Sequence, residues 1–245
     1  DLSLFCIIGA QRCGTTWLVN QLDNHKNIEF AKPIKPEPKF FLKNSKPDCS
    51  NYLNNYFTKK SLRTKWIGEK STSYIERPVV GKRIKRCFPK ARIIIILRNP
   101  VDRAISNYKF SVQNGLENRT LIGTFLKNKE RPIVNKNISV DPFDYIERGC
   151  YVNYLKPWLN MYPSENIGIW LFEDIFEDFT AVKEIFEFVD LKVLEKSIQF
   201  DGLINESNNF QQEGYNEVYE ALKKYYSKYN HKLMNLINVD LTAWE

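Results

Sequence analysis

Apolar positions along the chain follow two rhythms. Phe5-Cys6-Ile7-Ile8 is a short unbroken apolar run, and Ala91-Arg92-Ile93-Ile94-Ile95-Ile96-Leu97 is a longer one dominated by isoleucine. Such runs predict strands buried on both faces, and the second predicts a central strand of a parallel sheet. Elsewhere the apolar residues recur at helical spacing. From Thr15 on, Trp17, Leu18, Gln21 and Leu22 predict a helix ending near Asp23-Asn24-His25. Tyr52, Leu53, Tyr56 and Phe57 predict another over 50–63, and Val79, Val80, Ile84 and Phe88 a basic one over 78–88 that opens at a proline. Pro100 opens a further helix to about Gln113. Residues 66–71 read as a short strand running into a polar turn.

The second half repeats the alternation more faintly. It predicts a helix over 151–161 interrupted at Pro157, a strand over 167–172 ending at Glu173-Asp174, and a helix over 181–189. An Asn/Gln-rich loop over 201–214 and a tyrosine-rich helical pair over 215–238 follow. Strands alternating with helices predict an α/β fold of three layers, a mostly parallel central sheet with helices on both faces. A length of 245 residues suits one domain, 1–245, with a full core.

Charge and cysteine usage narrow the setting. The net charge of +7 fits either a solvated lysine-rich surface or a cleft for an anionic partner. Cys6, Cys13, Cys49, Cys87 and Cys150 are odd in number, spread out, and contain no C-x-x-C pair. That argues against a zinc site and a disulfide framework, and favours a reducing, cytoplasmic compartment. No apolar run approaches the roughly 18 to 20 residues needed to span a bilayer. Sequons at Asn118, Asn137 and Asn205 keep a secretory origin open, as does an N-terminal anchor trimmed before the first strand.

Candidate chemistry sits at two strand ends, where ligands of open parallel sheets bind. The first strand runs into Gly9-Ala10-Gln11-Arg12-Cys13-Gly14-Thr15-Thr16, whose glycine spacing is that of a phosphate-binding loop. Thr15 stands where a nucleoside triphosphatase has lysine, so Arg12 must supply the cation. An ordinary strand-to-helix turn is the alternative. The isoleucine-rich strand ends at Leu97-Arg98-Asn99-Pro100, with Ser106 two turns into the next helix. A triphosphatase would place a Mg²⁺-holding aspartate there. An arginine fork suits a second phosphate and no metal, unless Arg98 merely pairs with Asp102 at the helix start. Glu37 lies between Pro36 and Pro38 beside lysines, where folding does not ask for a carboxylate; it is a candidate general base or a plain surface charge. His25, at a helix end, and His231, in the last helices, are poorly placed for that role. A nucleotide with separate 5′ and 3′ phosphates fits this arrangement.

Four stretches, taken in order, resemble the landmarks of the sulfotransferases that use 3′-phosphoadenosine 5′-phosphosulfate (PAPS). They are Gly9-x-x-Arg12-x-Gly14-Thr15-Thr16, Glu37-x-x-Phe40-Phe41, Glu69-Lys70-Ser71-x-x-Tyr74 and Leu97-Arg98-Asn99-Pro100-x-x-Arg103-x-x-Ser106-x-Tyr108. The likeness is to the branch with a glutamate base, which includes heparan sulfate and bacterial carbohydrate sulfotransferases. It implies that Arg12, Cys13, Gly14, Thr15 and Thr16 hold the 5′-phosphosulfate, that Arg98 and Ser106 hold the 3′-phosphate, and that Trp17 stacks on adenine. It also implies Glu37 as general base, with Arg12 and Lys70 as catalytic cations. PAPS would be co-substrate and adenosine 3′,5′-bisphosphate (PAP) the product, with no metal and no nucleic-acid polymer involved. The acceptor is not named by these residues: a basic, aromatic-rich cleft suits a saccharide hydroxyl, and a lipid, phenol or carrier-bound metabolite stays open. A P-loop kinase-like phosphotransferase and a nucleotide-binding module without chemistry are the rivals. This chain departs from the animal heparan sulfate enzymes at Arg12 and Lys39, where they carry lysine and histidine. Their basic glycine loop and late disulfide have no counterpart in 201–214, so that wall of the cofactor site is unassigned.

Overall fold

Every residue of β1 (Ser3–Gly9) after Ser3 is shielded from water, because the strand lies in the middle of its sheet. Among the described residues the sheet has five strands in the order β2-β3-β1-β4-β5, all parallel, with β2 at Ile28–Phe30, β3 at Trp66–Lys70, β4 at Arg92–Leu97 and β5 at Ile167–Leu171. The computed structural model describes residues 2–43, 45–57, 62–127, 130–132, 141–177, 179–193, 198 and 212–245. From β1 the chain builds β2 and β3 on one side and then crosses to β4 on the other. The reversal falls between β1 and β4, and the loop after β1 leaves the sheet at that switch point.

The chain packs into two compact units. The first, residues 1–97 and 154–204, contains the whole sheet. It carries helices α1 (Thr15–Asp23), α2 (Phe40–Lys43), α3 (Cys49–Tyr56) and α4 (Val79–Cys87). The second unit, residues 98–153 and 205–245, is helical among its described residues. It holds α5 (Pro100–Gln113) and α6 (Leu121–Phe125). Helix α7 (Val152–Met161) begins at the boundary, and α8 (Phe172–Glu177) and α9 (Phe179–Phe188) follow β5 in the first unit. Helix α10 (Tyr215–Ile237) completes the second unit, whose core includes Val101, Ile105, Tyr108, Phe125, Tyr145, Val218, Leu222 and Tyr226.

The parallel sheet flanked by helices agrees with the alternation of patterns, and several local expectations are corrected. Pro157 does not interrupt α7, because Leu155 and Trp158 beside it are fully buried and Trp158 donates its indole N–H to the Ile75 carbonyl at 3.1 Å. Packing of that strength outweighs one lost backbone bond. The helical pair over 215–238 is one helix of 23 residues, because Val218, Leu222, Tyr226, Asn230 and Leu233 form an unbroken buried stripe. Strand β5 stops at Leu171, and Glu173 and Asp174 lie in the first turn of α8. Helix α3 ends at Tyr56. Residues 201–211 of the Asn/Gln-rich loop, with Asn137 and Asn205, lie outside the described residues.

The cysteine reading is also overturned, since Cys49 and Cys87 form a disulfide with Cα atoms 5.4 Å apart. Cys49 opens α3 and Cys87 closes α4, so tertiary packing joins two residues that spacing alone could not pair. Cys6, Cys13 and Cys150 are buried thiols. No helix among the described residues is long and apolar enough to cross a membrane.

Candidate active site

The loop after β1 turns on two left-handed residues, Arg12 at φ 68° and Gly14 at φ 73°. Gly14 is the N-cap of α1, and a Cβ there would come within 3.0 Å of the rings of Phe172 and Phe176. Only glycine suits both the angle and the space. The N-cap therefore has no side chain to satisfy the first amides of α1, and a helix start of this kind favours an anion. Arg12, Gly14 and Thr16 are half-buried, whereas Cys13 and Thr15 are buried. Cys13 turns its thiol toward the Gln11 carbonyl, so it faces the loop through its backbone. Trp17, expected on an adenine, is only 3% exposed, with its ring 4.8 Å from that of Phe176. It belongs to the buried side of α1.

At the end of β3 an exceptional run of polar residues, Glu69 to Tyr74, is buried. Lys70 lies between two partners: its Nζ is 3.2 Å from Thr16 Oγ1 and 3.3 Å from Glu37 Oε1. The lysine side chain is 6% exposed and the glutamate side chain 16%. Thr72 holds the same carboxylate, donating its backbone N–H to Oε2 at 3.1 Å and its hydroxyl to Oε1 at 2.9 Å. Glu37 is thus a fixed carboxylate, and its close cation is Lys70 rather than its sequence neighbours Lys35 and Lys39. Strand alternation turns Glu69 away from Lys70. Glu69 is fully buried, accepting from Tyr52 at 2.6 Å and Ser71 at 2.7 Å, and burial raises its pKa against the pull of those hydroxyls.

The other predicted residues belong to the second unit. Asn99 caps α5, its side chain accepting from the Val101 N–H at 3.0 Å, and Pro100 takes the first helical position. Arg98 precedes this cap; it is half-buried, and its carbonyl accepts from Tyr151 at 2.8 Å. Ser106 is 7% exposed. Lys109, one turn further on, is a residue that sequence reasoning misses. Burial lowers its pKa first and the Arg98 charge lowers it further. Asp102 is raised by burial and drawn back by Arg98 and Lys109. The spacing of Asp102, Ser106 and Lys109 at i, i+4 and i+7 is the available signal for a common helix face. Arg103, also in the motif, is fully buried and bonds Asn107 and the Tyr145 carbonyl, which makes it a packing residue of this unit.

His25 lies against Phe186, and burial lowers its pKa; His231 is on α10 and bonds the Ser227 carbonyl. Neither joins the Glu37 carboxylate, whose partners among the described residues are Lys70 and Thr72.

The profile of the sulfotransferase domain family matches residues 3–234. The chain is 25% identical to the membrane-associated sulfotransferase kil1 of Dictyostelium discoideum, over 98% of this chain and 66% of that protein. It is 28% identical to the human bifunctional heparan sulfate N-deacetylase/N-sulfotransferase 2, over 69% of this chain and 20% of that protein. It therefore spans just under two thirds of the first relative and a fifth of the second. Among solved structures, a sulfotransferase from Alicyclobacillus acidocaldarius superposes with a TM-score of 0.77 at 26% identity, covering 98% of this chain and 97% of that one. A mouse sulfotransferase, SULT7A1, complexed with PAP shares the fold at 16% identity and a TM-score of 0.53, over 91% of this chain and 84% of that one.

Proposed function

The chain belongs to the sulfotransferase domain family, and from that premise we propose that it moves a sulfuryl group from PAPS to a hydroxyl of a saccharide. The observation that carries this reading is Lys70, whose ammonium group touches both Thr16 at the phosphate loop and Glu37, the candidate base. One cation joining an anion-binding helix start to a fixed carboxylate is what in-line transfer needs. It can balance charge on the moving group while the carboxylate takes the proton from the attacking oxygen.

The proposed roles are these. In the first, the α1 amides after Gly14, with Arg12 and Thr16, meet the negative charge that grows on the leaving 5′-phosphate oxygen. Lys70 stabilises the transferring sulfuryl group, and Glu37 removes the hydroxyl proton, a contribution of about 10²- to 10⁴-fold. Thr72 keeps Glu37 from turning away. In the second, Arg98 and Ser106 are assigned to a 3′-phosphate, and Lys109 joins them. Trp17 is left out of the cofactor contacts. The saccharide acceptor is supported by the heparan sulfate sulfotransferases among the relatives. The Cys49–Cys87 disulfide supports an oxidising compartment over the cytoplasm.

Thermal shift with two nucleotides tests the cofactor assignment. PAP should raise Tm well above the value reached with AMP, and Arg98→Ala should erase the difference. Equal stabilisation of the unaltered protein by both nucleotides refutes the 3′-phosphate site.

A further inference from the structure

A carboxylate buried as completely as Glu69 is costly unless it is bonded, and its bonds lead to one place. Ser71, which donates to Glu69 Oε1 at 2.7 Å, accepts the Lys39 N–H at 3.0 Å. Tyr74, whose hydroxyl helps pull the Glu69 pKa down, accepts the Phe41 N–H at 2.9 Å. Glu69 thus orients the Ser71 hydroxyl, and both hydroxyls hold the backbone just after Glu37. That backbone needs holding. Lys39 is left-handed at φ 51°, a conformation that persists in a non-glycine residue only when its surroundings fix it. Phe41 is fully buried and its ring lies 4.8 Å from that of Tyr52, the other group bonded to Glu69.

We propose that Glu69 is a positioning residue for the transfer reaction: through Ser71, and through Tyr52 packed on Phe41, it fixes the 37–41 segment and so aims the Glu37 carboxylate at Lys70 and the acceptor hydroxyl. Adjacent residues of β3 then divide the work. Lys70 contacts the carboxylate itself, and Glu69 holds the backbone that delivers it. The proposal rests on Glu37 being the base, and the test separates the two statements.

The test is a set of coupled variants read by single-turnover rate with saturating PAPS and by PAP affinity. Glu69→Gln, Ser71→Ala and Tyr74→Phe should each slow turnover by about 10-fold or more, since small misplacement of a reacting group is expensive, and leave PAP affinity within about 2-fold. On the Glu37→Gln background, where no base remains to be aimed, the same changes should cost less than about 2-fold. Ile84→Val, a core change in α4, reports what general destabilisation does to the rate. Equal losses on both backgrounds, or losses reproduced by Ile84→Val at a matched fall in Tm, overturn the positioning role and leave Glu37 as base. A Glu37→Gln variant that turns over normally overturns the base assignment itself, and with it this proposal.

Discussion

Replacing Lys70 with methionine removes the ammonium group and keeps most of the side chain's length and bulk. The structure sets the size of the effect. At 3.3 Å from Glu37 the gross attraction is about 5 kcal/mol for an effective dielectric near 20, but burying both groups offsets most of it. Glu37 also keeps two bonds from Thr72 and some solvent, so the loss of stability should be about 1–2 kcal/mol, or roughly 2–8 °C in Tm for a chain of this size. The kinetic effect should be larger. A cation that meets charge developing in the transition state is worth about 10²- to 10³-fold in rate, equivalent to roughly 2.7–4 kcal/mol. Single-turnover transfer of labelled sulfate, measured beside thermal melting, separates the two numbers. A Lys70→Met protein that melts several degrees lower yet turns over within about 3-fold of the parent would refute the catalytic reading and leave Lys70 as a structural counter-ion.

Two predictions concern stability. Cys87→Ser, or reduction of the disulfide, releases a loop closed across 38 residues and should lower stability by about 2–4 kcal/mol, seen as a Tm fall of roughly 5–15 °C; an unchanged Tm would mean that Cys49 and Cys87 are not joined in solution. In the second unit, burial raises the Glu117 carboxyl, but bonds from Arg119 and Tyr145 outweigh it and leave the pKa below the usual range. Its stabilisation is therefore present above the ordinary carboxylate range and fades as pH falls through the lowered value. Glu117→Gln should lower Tm at pH 7 and lose less at pH values below about 4; a penalty that grows toward acid would reverse the assigned sign.

Much of the sheet was legible because burial on both faces leaves a direct trace in sequence. The isoleucines of β4 and the apolar run of β1 could be little else, and the loop after β1 announced itself by glycine spacing. What could not be read depends on residues distant in the chain. Cys49 and Cys87 look unrelated until α3 and α4 pack. Trp17 sits at a position that invites a ligand-facing role, and only the aromatic residues of α8 show that it is core. Glu69 and Lys70 are neighbours of opposite charge, which on a surface would mean nothing; strand alternation sends them to separate tasks. Glu37 was conspicuous for its prolines, yet its partners Lys70 and Thr72 come from the end of β3, more than thirty residues further along the chain.

The disulfide has a meaning beyond cross-linking. Helix α3 supplies Tyr52 to Glu69, and α4 supplies Arg83, whose guanidinium donates to the carbonyls of Phe41 at 2.8 Å and Leu42 at 3.0 Å. The segment behind Glu37 is thus framed from two helices, and Cys49–Cys87 locks the two sides of that frame together. On the proposed reading, with Glu37 as the base, the oxidation state of the surroundings thereby bears on the reaction centre, since closing Cys49–Cys87 finishes the mould around the segment behind Glu37.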